Sequence, residues 1–123
     1  MKLIEAITKI DKLKHNTYDK EEKLAWLSEL DGIVKQKILD THEGGSQMIF
    51  TGYDIDTPDD TQLLVPAPYD GLYLHWLESK IDYYNGEYSR YNNAMMLFNT
   101  AYGSYAEDYH RTHKPLCAGT QFL

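Results

Sequence analysis

The chain has 123 residues and carries 19 acidic against 12 basic side chains, a formal net charge of −7. This length suits one domain with a core of its own, or one subunit of an oligomer. The acidic balance argues against binding to nucleic-acid phosphates, because such affinity comes from lysine and arginine. A single cysteine, Cys117, excludes a disulfide framework within the chain and indicates a reducing compartment.

The hydropathy pattern argues against a membrane partner. No apolar run approaches the roughly 18 residues that a membrane-spanning helix needs. The first residues include Glu5, where a secretory signal peptide would have its apolar stretch. We therefore expect a soluble protein without a recognisable export signal.

Two helices are predicted in the first third of the chain. The first is short and has Leu3, Ile4, Ile7, Ile10 and Leu13 on one side. The second begins at Asp19, which Glu22 follows at the spacing of a capping box. Its apolar stripe continues to Ile38, so we predict that it ends near Thr41, before Gly44-Gly45. The pair Asp31-Gly32 weakens its middle, since glycine costs about 1 kcal/mol relative to alanine there.

The segment that follows the second helix has a different character. Residues 48–53 have a strand-like composition, residues 54–60 form an acidic turn, and residues 61–65 form a second short apolar run. We predict a long loop or a small β-hairpin over residues 44–67. Loops of this length are usually functional or ordered by a partner, so we expect this one to be mobile until assembly. The partner-facing residues predicted here are Ile49, Phe50, Tyr53, Leu63 and Leu64.

A long apolar stripe dominates the last third of the chain. Its members alternate three and four residues apart, as in a heptad pattern: Leu74, Leu77, Ile81, Tyr84, Tyr88, Tyr91, Met95, Phe98, Tyr102, Tyr105 and Tyr109. The third helix should begin at Pro68 or Tyr69. Asn85-Gly86 is a strong turn signal, so we predict an antiparallel helical hairpin there, with one bent helix as the alternative. The fourth helix should end at Thr112 or His113, before Pro115, which gives one domain over residues 1–115 and a tail over 116–123.

Six of the eleven stripe residues are tyrosine. Tyrosine hydroxyls need polar partners, so such a stripe suits a boundary with another protein as well as a domain's own core face. We expect Phe98 to pack inside the domain. Tyr102, Tyr105 and Tyr109 complete the predicted partner interface.

No constellation of residues predicts catalysis or a cofactor. The acidic turn at Asp54 departs from a calcium-binding EF loop at the required glycine and glutamate positions. Glu107 and His110 lie one helical turn apart, but the chain lacks the second such pair that a di-iron site needs. His110 and His113 lack further metal ligands in register. Cys117 has no neighbouring base. We predict no catalytic, metal or cofactor site, and hence that the protein is not an enzyme.

Four segments resemble a known group of proteins. They are WLSELDG (26–32), LLVPAPYDGLY (63–73), IDYYNGEYSRYNN (81–93) and YHRTHKP (109–115). The resemblance is to small proteins encoded by prophages of low-GC Gram-positive bacteria, which we place with the head-tail connector (adaptor, or head-completion) proteins of long-tailed phages.

The resemblance implies an all-α fold with four helices and a structural role in the virion. A connector subunit forms a ring with copies of itself, between the portal protein and a head-closure or tail protein. DNA passes through such a ring without specific binding, and assembly takes place in the host cytoplasm. The alternatives from the residues alone are a helical regulator that binds another protein through the tyrosine stripe, or a metal-binding helical domain.

Overall fold

The computed structural model describes residues 1–116. These residues form four helices, α1 (Leu3–Leu13), α2 (Lys20–Lys37), α3 (Leu72–Tyr84) and α4 (Tyr88–Thr112), and two 3₁₀ turns at Leu39–Thr41 and Gly45–Gln47. Within this range there is no β-strand, only two isolated bridges. The predicted all-α fold is confirmed, and residues 44–67 take the loop rather than the hairpin alternative.

Helices α1 and α2 begin where hydrogen bonds satisfy their free N–H groups, from the distant loop in α1 and from a neighbouring side chain in α2. The Asp19 side chain accepts from the backbone N–H of Glu22 at 2.9 Å, as the sequence predicts. The N-terminus of α1 is covered by the loop, because the N–H of Leu3 donates to the carbonyl of Thr61 at 2.8 Å. Helix α2 ends at Lys37, earlier than predicted, because the chain tightens into the 3₁₀ turn at Leu39–Thr41.

The junction before α3 differs from its prediction. Helix α3 begins at Leu72 and not at Pro68 or Tyr69. Residues 66–72 instead make a series of tight turns, in which the N–H of Tyr69 donates to the carbonyl of Pro66 and the N–H of Leu72 donates to the carbonyl of Tyr69. These i→i+3 hydrogen bonds take the place of the i→i+4 bonds of an α-helix, so α3 begins only after them.

Helices α3 and α4 form the predicted antiparallel hairpin. The chain reverses at Gly86, whose φ of 77° lies in the left-handed region that favours glycine. Three aromatic pairs fix the register, with ring centroids 5.1–5.7 Å apart: Tyr83 with Tyr91, Trp76 with Phe98, and Tyr69 with Tyr105. Residue numbers fall along one side as they rise along the other, which is the signature of antiparallel pairing.

The core collects side chains from all four helices and from the loop. Its most deeply buried members include Leu3, Ile10, Leu24, Leu27, Leu30, Val34, Leu72, Tyr73, Leu77 and Ile81. The stripe predicted in the last third is mostly a core face, because Leu77, Ile81, Phe98, Tyr105 and Tyr109 are all buried. Only near the hairpin turn does it reach solvent, where Tyr84 and Tyr88 are exposed.

Candidate interaction site

A buried carboxyl group in α2 fastens the loop to the helices. Asp31 is fully buried. It accepts hydrogen bonds from the hydroxyl of Tyr73 at 2.6 Å, from the hydroxyl of Tyr53, and from the backbone N–H of Leu64 at 3.1 Å. Tyr73 lies on α3, whereas Tyr53 and Leu64 belong to the loop. One side chain therefore joins three parts of the fold, and its donors compensate for the loss of water.

The environment of Asp31 changes its proton affinity and that of its partners. Burial raises the pKa of the Asp31 carboxyl above its ordinary value of 3.8, although the hydrogen bonds from Tyr53 and Tyr73 oppose the rise. Burial and the adjacent carboxylate raise the pKa of both tyrosine hydroxyls. The two tyrosines therefore keep their protons and remain donors.

Further hydrogen bonds hold the loop along its length. The N–H of Val65 donates to the hydroxyl oxygen of Tyr73 at 2.7 Å, and the N–H of Tyr53 donates to Ser28 Oγ at 3.1 Å. The side chains of Tyr53, Leu63 and Val65 are buried. The expectation of a mobile segment from Gly44 to Pro66 therefore needs correction, because much of this loop is part of the domain's own core.

Amide exchange in the isolated protein tests this correction. We expect slow exchange at Tyr53, Leu64 and Val65, whose N–H groups have buried or half-buried acceptors. Ile49 and Phe50 should exchange quickly, because their N–H groups have no acceptor in the described part of the chain. Fast exchange at all five positions would restore the mobile-loop interpretation.

The eight predicted interface residues fall into three groups. Four are buried within the chain: Tyr53, Leu63, Tyr105 and Tyr109. Three are half-buried: Phe50, Leu64 and Tyr102. Ile49 alone is widely open to solvent, with 90% of its surface exposed. The structure thus leaves Ile49 and its half-buried neighbour Phe50 as the surface through which this set could meet a partner.

The first exposed apolar surface, the loop patch, consists of Met48, Ile49 and Phe50. Beside it lies an open groove of about 380 Å³, lined by Ile49, Phe50 and residues of the acidic turn such as Asp54 and Asp56. Phe50 packs edge-on against Tyr53, with ring centroids 5.1 Å apart. The Asp31 anchor therefore also holds the loop patch in place.

The second exposed surface, the tip patch, consists of Tyr83, Tyr84 and Tyr88 at the turn of the hairpin. Tyr84 stacks on Trp26 of α2, with centroids 5.8 Å apart and planes 7° from parallel. A groove of about 290 Å³ adjoins the patch and is lined by Trp76, Lys80, Tyr83, Tyr84, Tyr91 and Met95. Tyr84 and Tyr88 belong to the predicted stripe and Tyr83 does not, and none of the three is among the predicted interface residues.

The two patches lie at opposite ends of the hairpin. The loop patch is near the C-terminal end of α4, because Met48 and Tyr109 line the same groove. The tip patch is at the N-terminal end of α4, where Tyr88 begins the helix. At roughly 1.5 Å per residue, Tyr88 and Tyr109 are about 32 Å apart along the helix.

A histidine cluster closes the C-terminal end of α4. The buried ring of His42 has its Nδ1 2.8 Å from the carbonyl of Ile38, so this nitrogen carries the proton. Its Nε2 lies within hydrogen-bond distance of Nδ1 of His110, at 2.9 Å. Tyr109 packs edge-on against His42 and stacks on His113 at 3.7 Å. The residues that the sequence offered as weak metal candidates thus take part in packing and hydrogen bonding.

The described residues contain no group of three or more His, Cys, Asp or Glu side chains that could hold a metal ion. Cys117 lies outside the described residues. Neither finding bears on catalysis directly, so the absence of an activity stays a prediction.

We expect the purified protein to show no hydrolytic or metal-dependent activity. Stoichiometric zinc, iron or manganese that survives dialysis and is lost in His110→Ala would contradict this.

Gly45 makes a close contact that should not tolerate a larger residue. A Cβ atom there would lie 2.4 Å from the Tyr109 hydroxyl and 2.6 Å from the carbonyl oxygen of Leu39. We expect Gly45→Ala to destabilise the protein by about 1–3 kcal/mol, the usual range for overpacking. The matched control is Gly71→Ala, where a Cβ meets nothing within 4 Å. Equal melting temperatures for the two variants would contradict the packing described here.

Comparisons of three kinds with known proteins found no match. No protein-family model matches the chain. No curated protein and no solved structure matches it either. Among the described residues, no helix has the length and apolar character needed to cross a membrane.

Proposed function

We propose that the chain is a structural subunit of a phage head-tail connector, and that its copies join in a ring. The observation that carries this proposal is the presence of two different apolar patches at opposite ends of one helical hairpin. A contact between two different surfaces repeats from copy to copy, and it closes into a ring when the rotation between copies allows.

The two patches have complementary chemistry. The loop patch presents aliphatic and thioether side chains, and Ile49 protrudes furthest. The tip patch presents tyrosine rings beside a groove of a size that suits such a side chain. Tyrosine and methionine are enriched at protein interfaces, and a tyrosine hydroxyl at the edge of a contact keeps its water. In the proposed ring, Ile49 of one copy enters the tyrosine-lined groove of the next.

Charge and sequence resemblance support the same role. The net charge of −7 suits a channel that lets DNA pass without holding it. The segments that resemble connector proteins include the hairpin turn at residues 81–93 and the entry to α3 at residues 63–73. We therefore propose the portal protein and a head-closure or tail protein as neighbours, with the virion as the final location and the host cytoplasm as the site of assembly.

Electron microscopy of the full-length protein, alone and with purified portal, tests the proposal. We expect closed rings from the wild type. Ile49→Asp should melt at the same temperature as the wild type but form no rings, because it places a charge in the apolar contact. Ile55→Asp is the control, since Ile55 is also exposed on the loop but lies outside the loop patch. Rings that persist in Ile49→Asp, or a wild type that stays monomeric with and without portal, would contradict the proposal.

A further inference from the structure

The outer face of α4 carries no charge over a long stretch. From Tyr91 to Ala106, sixteen consecutive residues include no Asp, Glu, Lys or Arg. Eight of them are exposed: Asn92, Asn93, Met96, Leu97, Asn99, Thr100, Gly103 and Ser104. Arg90 comes directly before this stretch and Glu107 directly after it.

The exposed sides of α1 and α2, unlike that of α4, carry charged side chains. The exposed positions of α1 include Glu5, Lys9 and Lys12, and those of α2 include Glu21 and Glu29. On α4, Met96 and Leu97 stand at the middle of the uncharged face with 68% and 53% of their surfaces exposed. Depletion of charge around exposed apolar side chains, with polar residues at the edges, is the composition of an interface core.

We propose that this face packs against the same face of a second copy, with the two α4 helices antiparallel. The charges at its ends select this occupant and this direction. Antiparallel pairing places Arg90 of each copy opposite Glu107 of the other, so that both ends gain an attractive pair. Parallel pairing would set Arg90 against Arg90 and Glu107 against Glu107. A two-fold contact in which residue i meets residue j, and j meets i, is the commonest form of self-association.

The side chains on the face permit this approach. Arg90 is held only by an exposed contact to Glu87 at 3.5 Å, and such surface pairs contribute little, so it is available to a partner. Glu107 makes no ion pair with another described residue. At Gly103 the space where a Cβ would lie is open, which lets a second backbone come close. In the register set by Arg90 and Glu107, Asn93 lies opposite Ser104 and Leu97 lies opposite Thr100.

This contact is independent of the proposed ring. The ring uses the two ends of the hairpin, whereas the uncharged face lies along the outer side of α4. The variant Ile49→Asp should therefore abolish rings and leave the α4 dimer intact. This difference keeps failure of one proposal distinct from failure of the other.

Disulfide trapping tests the direction of the helices. The full-length protein with Cys117→Ser, Asn93→Cys and Ser104→Cys should form a covalent dimer on mild oxidation, because the two new thiols meet across the contact. The control with Cys117→Ser and Asn93→Cys alone should stay unlinked, since antiparallel helices keep the two copies of position 93 apart. Absence of linkage in the variant with both new cysteines, or equal linkage in the control, would overturn the proposal.

Sedimentation analysis tests the charges. In the Ile49→Asp background, which forms no rings, Arg90→Glu should raise the dimer Kd about tenfold, which corresponds to about 1.4 kcal/mol. The double variant Arg90→Glu with Glu107→Arg should restore it. Adding Met96→Lys to Ile49→Asp should give a monomer with an unchanged melting temperature, and adding Lys9→Glu on α1 is the control with no expected effect. An Ile49→Asp protein that is monomeric at about 100 μM, or a dimer of it that is indifferent to Met96→Lys, would overturn the inference.

Discussion

Asp31→Ala is expected to lower the free energy of unfolding by about 3–5 kcal/mol, because it leaves buried donors without an acceptor. Those donors are the hydroxyls of Tyr53 and Tyr73 and the backbone N–H of Leu64. Urea denaturation followed by circular dichroism measures the loss.

Two further variants make this result specific. Asp40→Ala removes an exposed carboxylate that pairs with Lys35, and it should change stability by less than about 1 kcal/mol. Tyr73→Phe removes one donor to Asp31 and also the acceptor of the buried Val65 N–H, so a cost of about 1–3 kcal/mol is expected. If Asp31→Ala were as mild as Asp40→Ala, the loop would not depend on this anchor.

The cost of Asp31→Ala should also depend on pH. Burial raises the pKa of the Asp31 carboxyl in the folded protein above 3.8, so the folded state binds this proton more tightly than the unfolded state. Protonation therefore favours folding, and the wild type should gain stability relative to the variant as pH falls through the raised pKa toward 3.8. If the stability difference between the wild type and Asp31→Ala instead became smaller as pH fell through this range, the carboxyl group would be stabilised in its charged form.

The second large effect is expected at Phe98. Its ring is buried between Trp76 and Tyr102, with centroids 5.1 and 5.7 Å away. Phe98→Ala should cost about 3–5 kcal/mol, because it removes apolar contacts and leaves a cavity between α3 and α4. The matched control is Tyr88→Ala on the same helix, where 62% of the residue surface is already exposed. A melting temperature for Phe98→Ala close to that of the control would show that the hairpin is held by other contacts.

Tyr109 takes a different place from the one its sequence position suggested. The stripe pattern made it an outer residue that only a partner would cover. In the structure it is buried against His42 and His113, and its hydroxyl lies close to Gly45. Burial also raises the pKa of its hydroxyl. We therefore expect Tyr109→Ala to affect folding before it affects assembly.

Local signals predicted the helices well. Asp19 could be recognised as a helix cap from the sequence, because the capping hydrogen bond involves only Asp19 and the three residues that follow it. Asn85-Gly86 likewise specifies a turn without help from the rest of the chain. Boundaries that depend on more distant packing were less accurate, as the late start of α3 at Leu72 and the early end of α2 at Lys37 show.

The anchor at Asp31 could not be assigned from spacing. Its tyrosine partners lie 22 and 42 residues further along the chain, and only the folded structure brings them together. One signal was nevertheless present. Asp31 lies four residues after Leu27 and three before Val34, so a carboxyl group stands on the apolar stripe of α2. A charged residue on a buried face needs polar partners.

The exposed patches required the structure for a related reason. Ile49 and Tyr53 lie in the same apolar run, and composition cannot tell which of them the loop turns inward. The hydrogen bond between Tyr53 and Asp31 decides it, and Ile49 is left outside. The structure is likewise needed to separate the buried tyrosines of the stripe from the exposed ones. Tyr105 lies in the core, whereas Tyr84 and Tyr88 lie at the surface.

The most direct test of the proposed function is to locate the protein in assembled phage particles. A tagged copy labelled with gold and imaged by electron microscopy should appear as a single ring of label at the junction of head and tail. Particles assembled with Ile49→Asp should be filled heads that lack tails and label. Label on the tail shaft or tail tip, or particles that join heads to tails without the protein, would contradict the connector role.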